Sequence, residues 1–156
     1  MARELITTWS DYQAAVERLL AMAGREILIY DEDIGGLRLD VPPNFPHLQR
    51  VLKDGGGVHI ALRNADRLRQ RQPQLLTLLS LFSHRAAAQQ TPEHINHLRD
   101  NMILVDGKHG LIRFDRDQPR SKLLIDEVDE LRPYAMRFAE IWSAGGDPVS
   151  STTLGL

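Results

Sequence analysis

Apolar residues along the chain fall into short blocks divided by glycine, proline and polar residues, and the period of each block assigns its element. Ala14, Ala15, Val16, Leu19, Leu20 and Ala23 follow a helical period, opened by Ser10 and Gln13 in capping-box spacing and closed by Gly24. The runs at 26–31 and 58–62 are short, apolar and rich in strand formers, so both are expected as central strands. Between them Asn44 is placed to cap a short helix carrying Pro46, Leu48, Val51 and Leu52, which Gly55-Gly56-Gly57 stops. Strand, helix and strand of these lengths make a crossover unit, which implies parallel pairing.

Residues 65–72 form a polar, arginine-rich helical stretch, and Pro73 restarts the helix. Leu75, Leu76, Leu78, Leu79, Leu81 and Phe82 leave that second helix almost no polar face, so it is expected to be buried or packed at an interface. A short strand is expected at 86–90. The apolar run 102–105 suits a strand covered on both faces, and Asp106-Gly107 signals a hairpin into a partner strand at 111–114. Residues 121–125 read as an edge strand. Tyr134, Phe138, Ile141 and Trp142 stripe a helix over 131–142, with Pro133 tolerable near its start. Beyond Gly145-Gly146 no core-building pattern remains. The expected organisation is one domain, 1–146, with a mobile tail, 147–156. Its fold class is α/β: a mixed, mostly parallel sheet with helices on both faces.

Composition narrows the function classes. A chain of 156 residues has the length of one domain, and 42% hydrophobic with 26% charged residues is ordinary for a globular protein. The net charge of −2 offers no global field for nucleic acid or anionic lipid. With no cysteine, disulfides, thiolate metal sites and cysteine nucleophiles are excluded. No apolar run reaches the length of a membrane span and the first residues lack a signal peptide's apolar core, so a cytoplasmic protein is expected.

Several polar groupings could carry chemistry. Glu93, His94, His97 and Asp100 have metal-ligand side chains, but Glu-His-x-x-His is not the zincin order; they read as polar loop residues, and no metal is expected. Asp31, Glu32 and Asp33 follow the carboxyl end of a strand, where open α/β sheets bind ligands, yet adjacent carboxylates point apart and read as a solvated loop. Arg63, Arg67, Arg69 and Arg71, with Arg50 and Lys53 upstream, form a candidate phosphate stripe without interleaved aromatics; nucleic-acid binding through 63–71 is not favoured. Gly55-Gly56-Gly57 lacks the spacing and the lysine of a P-loop, so no nucleotide cofactor is implied.

The order of elements, a strand pair entered through a histidine-bearing segment and closed by a helix ending in Ile141-Trp142, resembles one half of the phospholipase D superfamily over 25–144. It is most similar to short bacterial members. The superfamily motif is His-x-Lys-x4-Asp. Here Asp106 matches its aspartate, whereas Arg99 stands at the histidine position and Asn101 at the lysine position. The family's reaction needs a neutral imidazole to attack phosphorus, which a guanidinium cannot replace. It also needs positive charge on the phosphoryl oxygens, which an amide does not supply. The resemblance therefore implies a non-catalytic module acting in binding or assembly, with an anion site around Arg99, Asn101 and His94. Single-motif members pair so that two copies make one site, which implies a homodimer. The alternative is a phosphodiesterase or nuclease using His97 and Arg99, two apart on one strand face, with Asp106 the third catalytic candidate. A weaker third reading has a partner chain supplying the absent residues.

Overall fold

The computed structural model describes residues 1–95, 98–115 and 117–150. Its sheet is built outward from β2 (Glu26–Asp31), whose alternation sends Ile27 and Ile29 to one face and Leu28 and Tyr30 to the other. On one side of β2 lie β3 (Gly57–Leu62), β4 (Ala86–Gln90) and β8 (Asp147–Val149). On the other lie β5 (Asn101–Val105), β6 (His109–Arg113), β7 (Ser121–Ile125) and β1 (Ala2–Ile6). The strand order is β1-β7-β6-β5-β2-β3-β4-β8.

The crossover reading holds, since β2 pairs in parallel with β3, and β3 with β4. The expectation of a mostly parallel sheet does not. Every other pairing is antiparallel, because β5, β6 and β7 follow one another through short reversals and β1 and β8 add antiparallel edges. The β5–β6 reversal has the form its sequence predicts. Asp106 (φ 57°) and Gly107 (φ 68°) both take the left-handed conformation, and the Lys108 N–H donates to Val105 O at 3.0 Å.

Helices cover both faces. Against one lie α1 (Trp9–Met22), α2 (Asn44–Lys53), α3 (Asp66–Arg71) and α4 (Pro73–Leu81), whose leucines and valines close the larger core over Ile27, Ile29, Ile60 and Ile103. Against the other lies α5 (Val128–Ser143), packing Leu131, Phe138 and Ile141 on Tyr30, Met102, Leu104 and Ile112.

Several local expectations are corrected. Thr8, not Ser10, caps α1, its Oγ1 accepting from the Asp11 N–H at 3.1 Å. Asn44 lies inside α2, and its Nδ2 donates to Leu37 O at 2.9 Å instead of capping. Strand 121–125 is not an edge, since β1 pairs along it. Residues 147–149, expected in a mobile tail, pair with β4, while 151–156 lie outside the described residues. Among the described residues no helix is long and apolar enough to cross a membrane.

Candidate functional site

Strand direction alone gathers four polar side chains at one end of the sheet. β2 and β3 run together, so Asp31 closes β2 near Arg63, the residue after β3. β5 opposes β2 and begins where β2 ends, with Asn101; β6 opposes β5 and finishes at the same end, so Arg113 is the cross-strand partner of Asn101. All four are buried. A charge inside a protein must find a partner or lose its ionisation, so how these groups pair decides what the site can do.

They pair with one another. Arg113 Nη2 lies 3.3 Å from Asp31 Oδ1, its Nη1 donates to Asp115 O, and its guanidinium rests over the rings of Trp9 and Tyr12 at 5.2 and 5.1 Å. The other oxygen of Asp31 accepts the Ile34 N–H at 2.8 Å. Burial pushes the Asp31 carboxyl up, and Arg113 opposes the rise without cancelling it. Tyr12 is pushed up to about 12, first by burial and then by the Asp31 charge.

Arg63 makes the second knot. Its Nε donates to Glu32 Oε1 at 2.8 Å, its Nη1 to Leu98 O and Asp100 O at 2.7 and 3.2 Å, and its Nη2 to Asn101 Oδ1. Tyr30 lies under the guanidinium at 4.8 Å, and its hydroxyl donates to Leu98 O. Burial alone would lower the Arg63 pKa, but Glu32 and Tyr30 outweigh it and hold the cation. Asn101 is 1% exposed; the guanidinium fixes its oxygen inward, and its Nδ2 has no partner among the described residues.

The remaining motif position stands apart. Asp106 lies beyond the far end of β5, about 17 Å from Asn101 at the usual strand rise. Its carboxylate accepts the N–H groups of Gly24, Arg25 and Glu26 at 2.9, 2.8 and 2.9 Å, tying the hairpin to the start of β2. Burial would raise its pKa, but those three hydrogen bonds hold it below the ordinary carboxylate value.

The segment before β5 is not strand. Residues 98–100 are irregular, Arg99 and His94 are exposed, and Asp100 is ion-paired with Arg137 of α5. His97 lies outside the described residues. A His97–Arg99 pair on one strand face therefore finds no strand under Arg99. Glu93, His94 and Asp100 belong to no group of three metal-ligating side chains among the described residues, and His97 lies outside them. The arginine stripe disperses. Arg63 is buried, Arg67 reaches toward Asp33 at 3.9 Å, and Arg50 donates to Ala23 O and Leu20 O at the end of α1. Arg69 and Arg71 remain exposed. The three adjacent carboxylates do diverge, as expected, but Asp31 is buried and ion-paired, not solvated. Arg113 is the residue sequence reasoning missed. Its signal was a cation closing the apolar pair Leu111-Ile112, matched by an anion closing the apolar run of β2.

Likeness to solved structures agrees with this geometry. The chain superposes on Nuc of Salmonella typhimurium, a phospholipase D family member, with a TM-score of 0.66 and 12% identity, covering 96% of this chain and 99% of that one. It superposes on NucT of Helicobacter pylori with a TM-score of 0.56 and 9% identity, covering 96% and 98%. With TrmBL2, an archaeal chromatin protein whose structure shows a novel mode of DNA binding, the TM-score is 0.70 at 11% identity, covering 94% of this chain and 54% of that one. The chain thus spans about half the length of TrmBL2. At such identities the likeness is one of fold, and the fold is phospholipase D-like. No curated protein matches the sequence. Residues 8–150 match a domain of unknown function, DUF7931, over nearly the whole sheet and all five helices, and the chain belongs to that family.

Proposed function

We propose that this chain is a non-catalytic phospholipase D-like module, working as a homodimer in binding or assembly. The observation that carries the reading is the contact between Arg63 and Asn101. Where the superfamily places a lysine for the phosphoryl group, this chain has a buried amide held by a guanidinium that is itself committed to Glu32 and two carbonyls. Positive charge is present at this end of the sheet, but it is neutralised internally by Glu32 and Asp31. Arg99, at the histidine position, is exposed and cannot act as a nucleophile. Arg99 and His94 are the exposed hydrogen-bond donors of the segment and would form what anion site is retained; Asn101 is too buried to share in it. The dispersal of the 63–71 arginines gives no support to nucleic-acid binding here, whatever TrmBL2 does.

The test is a phosphodiester panel: bis(p-nitrophenyl) phosphate, single- and double-stranded DNA, and phosphatidylcholine vesicles. The expected result is no release above the rate without protein. Turnover abolished by His97→Ala would overturn the reading in favour of a phosphodiesterase using His97 and Arg99.

A further inference from the structure

The link between β7 and α5 is fastened to the β5–β6 hairpin at two backbone groups. The Glu127 N–H donates to Lys108 O at 3.1 Å, and the Asp126 N–H donates to Nδ1 of His109 at 3.0 Å. We infer that the second fastening is a pH-operated latch: protonation of His109 releases the start of α5 from the hairpin.

The hydrogen bond fixes the chemistry of the ring. A backbone N–H can only donate, so Nδ1 must hold a lone pair, and the imidazole is the neutral tautomer with its proton on Nε2. An imidazolium carries N–H at both nitrogens. The acceptor is then gone, and two donors face each other where one bond stood. His109 is 8% exposed, so the packed ring has little room to turn aside and the backbone of the link yields instead. That backbone is already poised to move. Asp126 has φ 54°, a left-handed conformation that costs a non-glycine residue free energy, and α5 has no side-chain cap at its Glu127 end. With the latch open, Glu127 keeps its Lys108 bond and its ion pair with Arg3 at 3.5 Å. The opening is therefore local.

The surroundings let the ring take its proton in place. The charged groups near it are Asp106 and Lys108 of the hairpin, Asp126 and Glu127 of the link, and Arg132 of α5. Behind Asp106 stand Arg25 and Glu26, whose N–H groups it accepts. Asp106 attracts the imidazolium directly and stays ionised throughout the range in which histidine titrates, so the new charge is not left without a counter-ion. What the latch governs is apolar. Val128 and Leu131 of the first turns of α5, with Leu104 and Ala135, wall a cavity of about 210 Å3, which release of the link opens to solvent.

The experiment follows amide hydrogen exchange of the 15N-labelled full chain from about pH 8 to 5, beside the 15N resonances of its imidazoles. At the upper end His109 is expected to show an unprotonated Nδ1. The protection factor of the Asp126 amide should fall about tenfold toward the lower end, the scale of one hydrogen bond, in step with protonation of His109. Ile60 and Ile103, in the sheet centre, should keep theirs. His109→Asn offers an acceptor in the position of Nδ1 that does not titrate, so its Asp126 protection should not vary with pH. His109→Leu offers none and should be unprotected at every pH; a thermal melt checks that both variants fold. Protection of Asp126 that ignores pH in the native protein overturns the inference. So does a pH dependence that survives in His109→Asn, or a ring protonated on Nδ1 at the upper end. None of these outcomes bears on the phosphodiester panel, which reads other residues.

Discussion

A lysine at position 101 would bring its ammonium against the guanidinium of Arg63, and across the strand pair from Arg113. Restoring that part of the superfamily motif should therefore damage the protein without awakening it. Asn101→Lys is expected to cost on the order of 3–5 kcal/mol, the scale of an uncompensated buried charge, with no gain in phosphodiester turnover. Urea denaturation beside the phosphodiester panel checks both. Arg113→Met should cost a similar amount, about 3–5 kcal/mol, because it strands the Asp31 carboxylate. The sign of its pH dependence follows from the raised pKa of Asp31. A carboxyl with a folded pKa above its unfolded one favours the fold most when protonated, and that advantage is lost as pH rises through the folded value. Removing Arg113 raises this pKa further, so the deficit should be largest near neutral pH and shrink as acid protonates Asp31. Asp106 runs the other way. Its depressed pKa contributes stability above the unfolded carboxylate value of about 3.9, lost as pH falls through the folded pKa. Asp106→Asn keeps a residue tolerant of positive φ but loses that acid-side slope, and should speed hydrogen exchange at Gly24, Arg25 and Glu26.

At the scale of elements, what could be read in advance depended on whether an element owed its form to its own residues. The helices and central strands carry their apolar period within themselves, and β2 and the Asp106-Gly107 turn lie where those residues place them. β1 does not. Leu5 and Ile6 are the only large apolar residues of Ala2–Ile6, and the strand exists because β7 offers it an edge and Glu127 and Glu130 receive Arg3. β8 contains a proline and depends likewise on β4. The site divides in the same way. The absence of histidine and lysine from the motif is visible in the chain, whereas the Arg113–Asp31 pair joins residues far apart in sequence and appears only once the strand order is known. One close approach tests the hairpin packing. A Cβ on Gly110 would meet Leu131 Cδ2 at 2.6 Å and Leu104 Cδ2 at 3.2 Å, so Gly110→Ala must shift the Leu131 side chain within the α5–β6 contact. The expected cost is about 1 kcal/mol, the low end for overpacking, read as a lowered midpoint of urea denaturation with the fold unchanged.

For the molecule as a whole, the open question is what meets the end of α4. Leu75, Leu76, Leu78 and Leu79 are buried in the chain's own core, but Leu81 is 71% exposed and borders an apolar groove of about 360 Å3 with Phe45 and Leu78. A single exposed leucine is unremarkable in a monomer; one set beside an apolar groove is the form an interface takes. If two copies meet there, each Leu81 fills a groove on its partner, and a charge at that position must be buried without a counter-ion. Leu81→Glu should then separate the copies while leaving each fold intact, since the side chain it replaces packs little within its own chain. Sedimentation at tens of micromolar is expected to give twice the 17.7 kDa chain mass for the native protein and the single mass for the variant, with unchanged far-ultraviolet circular dichroism. The midpoint of thermal unfolding should rise with concentration in the native protein and not in the variant, because association that stabilises only the folded state obeys mass action. A native protein that sediments as one chain, with a concentration-independent midpoint, would remove the homodimer from the proposal and leave its non-catalytic part resting on the Arg63–Asn101 contact and the missing nucleophile.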